Sequence, residues 1–164
     1  QRLLNELNDT TADLLNETEP YIIEGSEGIV INFAECCRPI PKDPIAGVLT
    51  INKGIAVHHE SCKNLNKWRR RPGRYLPLNW AKQITETFKV ELDIEVNNQQ
   101  GMIANVTAKI AEAKVNIENI SVKQTDNYHA IIHLLLSVED RIHLAKIIRR
   151  IRLIKGVTRV IRSK

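Results

Sequence analysis

The sequence predicts an α+β protein of two consecutive units, a small β-rich one holding every cysteine and a βαββαβ one running to the C-terminus. Three observations carry that expectation. Residues 88–96 alternate strictly, Phe88, Val90, Leu92, Ile94 and Val96 on one face and Lys89, Glu91, Asp93 and Glu95 on the other, which describes a half-buried strand. Directly after it the apolar period lengthens to a helical one through Ile103, Val106, Ile110 and Ala113. Upstream, short apolar runs are punctuated by glycines and prolines, the pattern of short strands joined by turns.

Taken in order, residues 2–15 read as an irregular helix with Leu3, Leu4, Leu7, Leu14 and Leu15, broken by Asp9, Thr10 and Thr11. A partly disordered acidic leader competes with that reading, and on either view 1–27 stands apart as leader and linker. The β-rich unit is expected over 28–80. Ile29, Val30, Ile31 and Phe33 lead into Cys36-Cys37, and a second run, 45–51, follows Pro39, Pro41 and Pro44. Lys53-Gly54 then turns the chain into a third run, 55–58. Ser61 is expected to cap a short helix through Lys67, and 77–80 to close the unit as a strand with Trp80 buried. Residues 81–87 read as a linker.

The second unit is expected over 88–164. After the first strand, 97–101 turns the chain into a helix ending near Lys114. Strands at 115–123 and 128–136 flank a Thr125-Asp126-Asn127 turn, and Ser137 with Asp140 three residues later suggests a capping-box start to a second helix. Lys155-Gly156 ends that helix and 157–162 forms the last strand. The order is that of the ferredoxin-like split unit, with two helices on one face of a four-stranded antiparallel sheet.

Composition narrows the function classes. Hydrophobic residues make up 43% but aromatics only 4%, so the cores must be aliphatic. The net charge of +5 is uneven: residues 1–28 hold one Arg against seven carboxylates, 29–87 ten basic against four acidic, and 88–164 thirteen against eight. A basic body attracts polyanions, nucleic acid above all, although ordinary solvated faces account for the same surplus. The charge clusters at Arg69, Arg70, Arg71 and Arg74, interleaved with Trp68, Pro72, Gly73 and Tyr75. Guanidinium forks suit phosphates and the rings can stack on unpaired bases, so these four arginines are the candidate RNA contacts; an interunit loop anchored by Trp68 is the alternative. Three cysteines, no signal-like start and no apolar run near 18 residues lead to the expectation of a cytosolic, reducing setting without a membrane span. The chain starts at Gln1, so part of the function is expected to lie outside it.

Cys36-Cys37, followed about twenty residues later by His58-x-x-x-Cys62, supplies three sulfurs and an imidazole nitrogen, the ligand set of a closed tetrahedral zinc site. Adjacent cysteines can both ligate only if the backbone reverses sharply, for which Arg38-Pro39 is suited. A disulfide from one of the pair to Cys62, or three buried free thiols, remain alternatives. Catalytic groups are not evident: no paired carboxylates, no His-Asp metal dyad and no phosphate-cradling Gly-rich loop. His129 and His133, four apart on a strand and thus roughly 13 Å from each other, read as polar-face residues.

The string Phe33-Ala34-Glu35-Cys36-Cys37-Arg38-Pro39-Ile40-Pro41-Lys42-Asp43-Pro44-Ile45, with Lys53-Gly54-Ile55-Ala56-Val57-His58-His59-Glu60-Ser61-Cys62, resembles the conserved-cysteine, zinc-finger-like domain of the RelA/SpoT family. That family comprises the long (p)ppGpp synthetases and hydrolases of the bacterial stringent response. Cys36, Cys37, His58 and Cys62 match its Cys-Cys and His-x-x-x-Cys positions, while Lys42 stands where the family usually has Gly. Gln100-Gly101-Met102 and Val115-Asn116-Ile117-Glu118-Asn119-Ile120-Ser121 resemble an ACT domain, which directly follows the cysteine domain in that family.

The resemblance implies that catalysis belongs to N-terminal domains, a manganese-dependent 3'-pyrophosphohydrolase and a GTP pyrophosphokinase. The present chain is then the regulatory part, docking the ribosome and its rRNA, a regulatory protein, a second copy through the ACT domain, or a branched-chain amino acid. In ACT domains the ligand contacts come from the turn after the first strand, here Asn97, Gly101, Met102 and Ile103. Two rival readings stay open, a free-standing zinc-containing RNA-binding module and the amino-acid-sensing ACT region of a metabolic enzyme.

Overall fold

A computed structural model of the chain describes residues 22–26, 28–97 and 100–163, and the helix expected over 2–15 lies outside them. The first sheet contains β1 (Ile31–Phe33), β2 (Ile45–Thr50), β3 (Gly54–His59) and β4 (Tyr75–Pro77) in the order β1-β3-β2-β4. β1 runs parallel to β3 and the other pairs are antiparallel. Central β2 is covered on both faces: Ile45 joins Ile23, Ile55 and Val57 on one side, and Ala46 and Val48 pack with Leu65 on the other. Gly54 makes the β2–β3 turn possible, since at its φ of +81 a Cβ would sit 2.1 Å from the Val30 carbonyl oxygen.

Two local expectations fail here. Instead of a helix capped by Ser61, the chain forms a 3₁₀ turn over Lys63–Leu65 whose N-cap is Cys62, with no side-chain capping bond. Ser61 is occupied elsewhere, its hydroxyl lying 2.8 Å from His59 Nδ1. The closing strand also comes earlier than 77–80, at Tyr75–Pro77. Trp80 is half-buried, pairs through an isolated bridge with Ile23, and donates from Nε1 to the Asp43 carbonyl at 2.9 Å.

The second sheet contains β5 (Phe88–Asn97), β6 (Asn116–Gln124), β7 (His129–Val138) and β8 (Val157–Arg162) in the antiparallel order β6-β7-β5-β8. Helices α1 (Met102–Glu112) and α2 (Arg141–Arg152) bury Met102, Val106 and Ile110, and Leu144, Ile147 and Ile151, at helical spacing. Against them lie Val90, Leu92 and Ile94 of β5 and Ile132, Leu134 and Leu136 of β7, an aliphatic core as the composition requires. The α2 start is one turn later than Ser137 suggests, because β7 continues to Val138 and the Ser137 hydroxyl donates to Glu118. Asp140 is the N-cap: its Oδ1 accepts the His143 N–H at 2.8 Å, while His143 Nδ1 accepts the Glu139 N–H at 3.0 Å. His143 at N3 thus reaches back as Glu does in a capping box, but to the N–H of Glu139, one residue before the cap.

The two sheets share a packed junction. Ile40, from the proline-rich turn of the first unit, is fully buried in the core of the second. Phe33, Trp80 and Phe88 stack and meet edge-on with centroids 5.5–5.7 Å apart. Lys42 adopts φ 74, in the left-handed region that favours glycine, and its Nζ lies 3.7 Å from Asp140.

Candidate metal centre

The candidate ligands come from three points of the first unit. Cys36 and Cys37 occupy the turn after β1, His58 lies on β3, and Cys62 follows β3 on a turn closed by its own N–H to the His59 carbonyl at 2.9 Å. The adjacent cysteines do converge, since Arg38 donates back to the Ala34 carbonyl at 2.9 Å and takes φ 41. Cys36 Sγ lies 3.9 Å from Cys37 Sγ, 3.7 Å from Cys62 Sγ and 3.5 Å from His58 Nδ1, and Cys37 Sγ lies 3.7 Å from the same nitrogen. All four donor atoms fall within 4.8 Å of one another.

Those separations can be compared with the edges of a coordination tetrahedron. Bonds of ~2.3 Å to sulfur and ~2.0 Å to nitrogen place sulfurs about 3.8 Å apart and a sulfur about 3.5 Å from the nitrogen. The four spacings made by Cys36 and by Cys37 with His58 match those edges, and the whole set stays within 4.8 Å, so the four side chains could close on a soft divalent ion by a small movement. The alternatives fit less well. All three cysteines are free, Cys36 is exposed, and only Cys37 is buried, so neither a disulfide nor a set of three buried thiols describes them.

Without a cation the site favours neutral groups. Burial pushes the Cys37 thiol up to about 12, with Cys36 and Cys62 adding to the rise and the His59 N–H, which donates to its sulfur at 3.3 Å, opposing it. Burial holds His58 below its usual range, keeping the imidazole neutral with a lone pair to offer. A cation among these groups reverses the preference of the thiols, because coordination stabilises thiolate directly.

The other candidate residues are placed differently. Arg69 donates to the Glu60 carbonyl, Arg74 donates from Nη1 to the Leu49 carbonyl at 3.2 Å, and the Arg71 guanidinium lies 5.2 Å from the Trp68 ring centre. Trp68 itself packs against the Ala46, Val48 and Leu65 cluster, so three of the four arginines brace their own unit while Arg70 projects outward. Asn97, Gly101, Met102 and Ile103 do come together, lining with Val122, Ala130 and Ile132 a recess of ≈ 460 Å³. Gly101 is required there by its φ of 82 rather than by crowding, since a Cβ would meet nothing within 4 Å. His129 and His133 pair with Asp126 at 3.0 Å and Asp93 at 2.5 Å on the face of the sheet away from the helices, consistent with polar-face residues. No described helix is long and apolar enough to cross a membrane.

Behind the ligands stand residues that sequence reasoning missed. Asp43 accepts the Ile40 N–H at 2.9 Å and both terminal nitrogens of Arg162, and Arg38 Nε meets Glu91 Oε1 at 3.0 Å. No local pattern marks Arg162, which lies 119 positions from Asp43.

Comparison with known proteins agrees with these features. The RelA/SpoT RIS domain model matches residues 21–81 and an ACT domain model matches 85–162. The bifunctional (p)ppGpp synthase/hydrolase SpoT of Escherichia coli is 37% identical over 142 residues, 87% of this chain and 20% of that protein. The bifunctional (p)ppGpp synthase/hydrolase RelA of Mycobacterium tuberculosis is 29% identical over 85% of this chain and 19% of its own length. The crystal structure of the ACT domain from the GTP pyrophosphokinase of Chlorobium tepidum overlaps 46% of this chain and 97% of its own, with TM-score 0.42 and 24% identity. The chain thus spans about a fifth of the curated relatives it matches. With the two domain models adjacent and in the same order as its two sheets, the chain belongs to the RelA/SpoT family, as a RIS domain followed by an ACT domain.

Proposed function

We propose that this chain is the C-terminal regulatory region of a bifunctional (p)ppGpp synthetase/hydrolase, its RIS unit held by one zinc ion on Cys36, Cys37, His58 and Cys62. The observation that carries the reading is the adjacent pair of RIS and ACT matches across a chain that spans only a fifth of its bifunctional relatives. Catalysis, with its manganese, belongs to N-terminal domains of the parent. The RIS–ACT body docks a partner, ribosomal RNA or a regulatory protein, and biases synthesis against hydrolysis. Such a bias requires the partner to bind one global state better than the other, because equal binding shifts nothing.

The basic faces favour a phosphate-rich partner. In the full-length parent, replacing Arg69, Arg70, Arg71 and Arg74 with Glu is expected to weaken pelleting with ribosomes at least roughly tenfold. Wild-type pelleting is expected to fall steeply with salt, as counterion release demands. Unchanged pelleting assigns the loop to solubility and bracing.

A second reading, amino-acid sensing, rests on the recess at Gly101. The amides of the first α1 turn lack intrahelical partners and suit a carboxylate, and the apolar lining suits a branched side chain. Exposed Ile120 and Val122 on edge strand β6 offer a second copy a place to close over it. Titration calorimetry with valine, isoleucine and leucine is expected to give heat that a Gly101→Val variant abolishes. Silence at millimolar ligand leaves the ACT unit as a docking surface alone.

A further inference from the structure

The turn that presents Cys36 and Cys37 is held from outside its own unit. Both sulfurs reach one point because Arg38 adopts φ 41, a conformation that a residue with a side chain keeps only where its surroundings over-determine it. Its own unit contributes the Ala34 carbonyl and Asp43, and the rest of those surroundings come from the ACT unit. Arg162, at the end of β8, donates from Nη2 to the Arg38 carbonyl at 3.0 Å. The same guanidinium forks onto Asp43, Nη1 to Oδ1 at 3.0 Å and Nη2 to Oδ2 at 2.6 Å. Asp43 in turn fixes the Ile40 N–H, and Glu91 of β5 takes the Arg38 side chain.

The Arg162–Asp43 contact is nearly dry, with 13% and 0% of the two side chains exposed. A buried ion pair is weak evidence for stability, because desolvation offsets most of the attraction. A bidentate fork is instead strong in geometry, setting both distance and direction. The Arg162 Nε remains buried without a partner, so the guanidinium is aimed at its two targets at the expense of its own full hydrogen bonding.

We propose that Arg162 is a positioning residue for the metal centre: from β8 it sets the Cys36–Cys37 turn through Arg38 and Asp43, coupling metal affinity to docking of the ACT unit. The inference rests on the metal reading above. Partners that hydrogen-bond the ligands directly typically change metal affinity 10–100-fold when altered, and Arg162, acting through the residue next to Cys37, is expected at the lower end of that range. By linkage, the metal must stabilise the junction by as much as the junction strengthens metal binding.

The test measures zinc affinity of the 164-residue chain by competition with a chromogenic chelator, and amide hydrogen exchange with and without zinc. Two variants leave all four ligands in place. Arg162→Lys keeps the charge but has no fork to span Asp43 and the Arg38 carbonyl, and Arg162→Met with Asp43→Asn removes the pair without stranding a buried charge. Zinc affinity is expected to fall at least roughly tenfold in both. In the wild type, zinc is expected to slow exchange along β8 and at the Arg141 amide, which donates to the Pro41 carbonyl at 2.9 Å. Variants that bind zinc within about twofold of a tight-binding wild type overturn the inference, as does β8 exchange indifferent to zinc. The exchange arm uses the wild type, so it decides even if a variant fails to fold. A wild type that takes up no zinc instead removes the metal reading underneath.

Discussion

Stripping zinc from the purified chain is expected to lower its melting temperature by roughly 10 °C, at about 2–4 °C per kcal/mol for a protein of this size. An ion held a thousandfold above its dissociation constant stabilises the folded state by about 4 kcal/mol. The four donors are gathered from a turn, a strand and a second turn, positions that the unfolded chain does not bring together, so the binding energy appears as folding energy. Elemental analysis is expected to find about one zinc per chain, as a single tetrahedral site requires. Cys62→Ser is expected to lower the melting temperature in the same direction. A protein that purifies metal-free, melts unchanged in chelator and shows three titratable thiols leaves these side chains as an ordinary cysteine turn.

Much of this site could be read from the chain because its information is local. Cys36-Cys37 and His58-x-x-x-Cys62 sit on short elements whose register follows from Gly54 and the proline-rich turn. The alternation of 88–96 likewise survives intact as the buried face of β5, since a period of two leaves only one way to bury those five residues. Helix starts were less legible. Ser61 and Ser137 both carry capping chemistry, yet a cap is decided by where the preceding element ends, and β7 runs one residue past Ser137. The arginine loop shows another limit, because residue type suggests phosphate binding equally for Arg70, which projects outward, and Arg74, which braces the Leu49 carbonyl. Least legible was the junction. Ile40 lies between two prolines in what reads as a turn, and nothing nearby announces that a core more than forty residues downstream will enclose it.

Ile40→Ala is expected to destabilise the chain by about 2–5 kcal/mol, the range for truncating a fully enclosed aliphatic side chain. The loss should reach both sheets. Ile40 is 0% exposed and sits in the cluster of Val90, Leu134 and Ile147, while the loop that carries it is pinned by Asp43 and Arg162 and flanked by the Phe33–Trp80–Phe88 stack. A cavity at that point removes contacts from the second core and slackens the turn bearing Cys36 and Cys37 of the first. Denaturant unfolding should therefore remain a single transition, shifted to lower midpoint, with fluorescence of Trp68 and Trp80 and far-ultraviolet dichroism coinciding. Ile29→Ala provides the comparison, since Ile29 is 44% exposed and outside the clusters and its truncation is expected to stay within about 0.5 kcal/mol. A loss below about 1 kcal/mol for Ile40→Ala falls under the range for an enclosed isoleucine and denies the side chain its place in the second core, and two separated transitions in the wild type deny the shared junction. With two transitions the RIS and ACT units fold as independent bodies, and the proline-rich turn joins them without making them one.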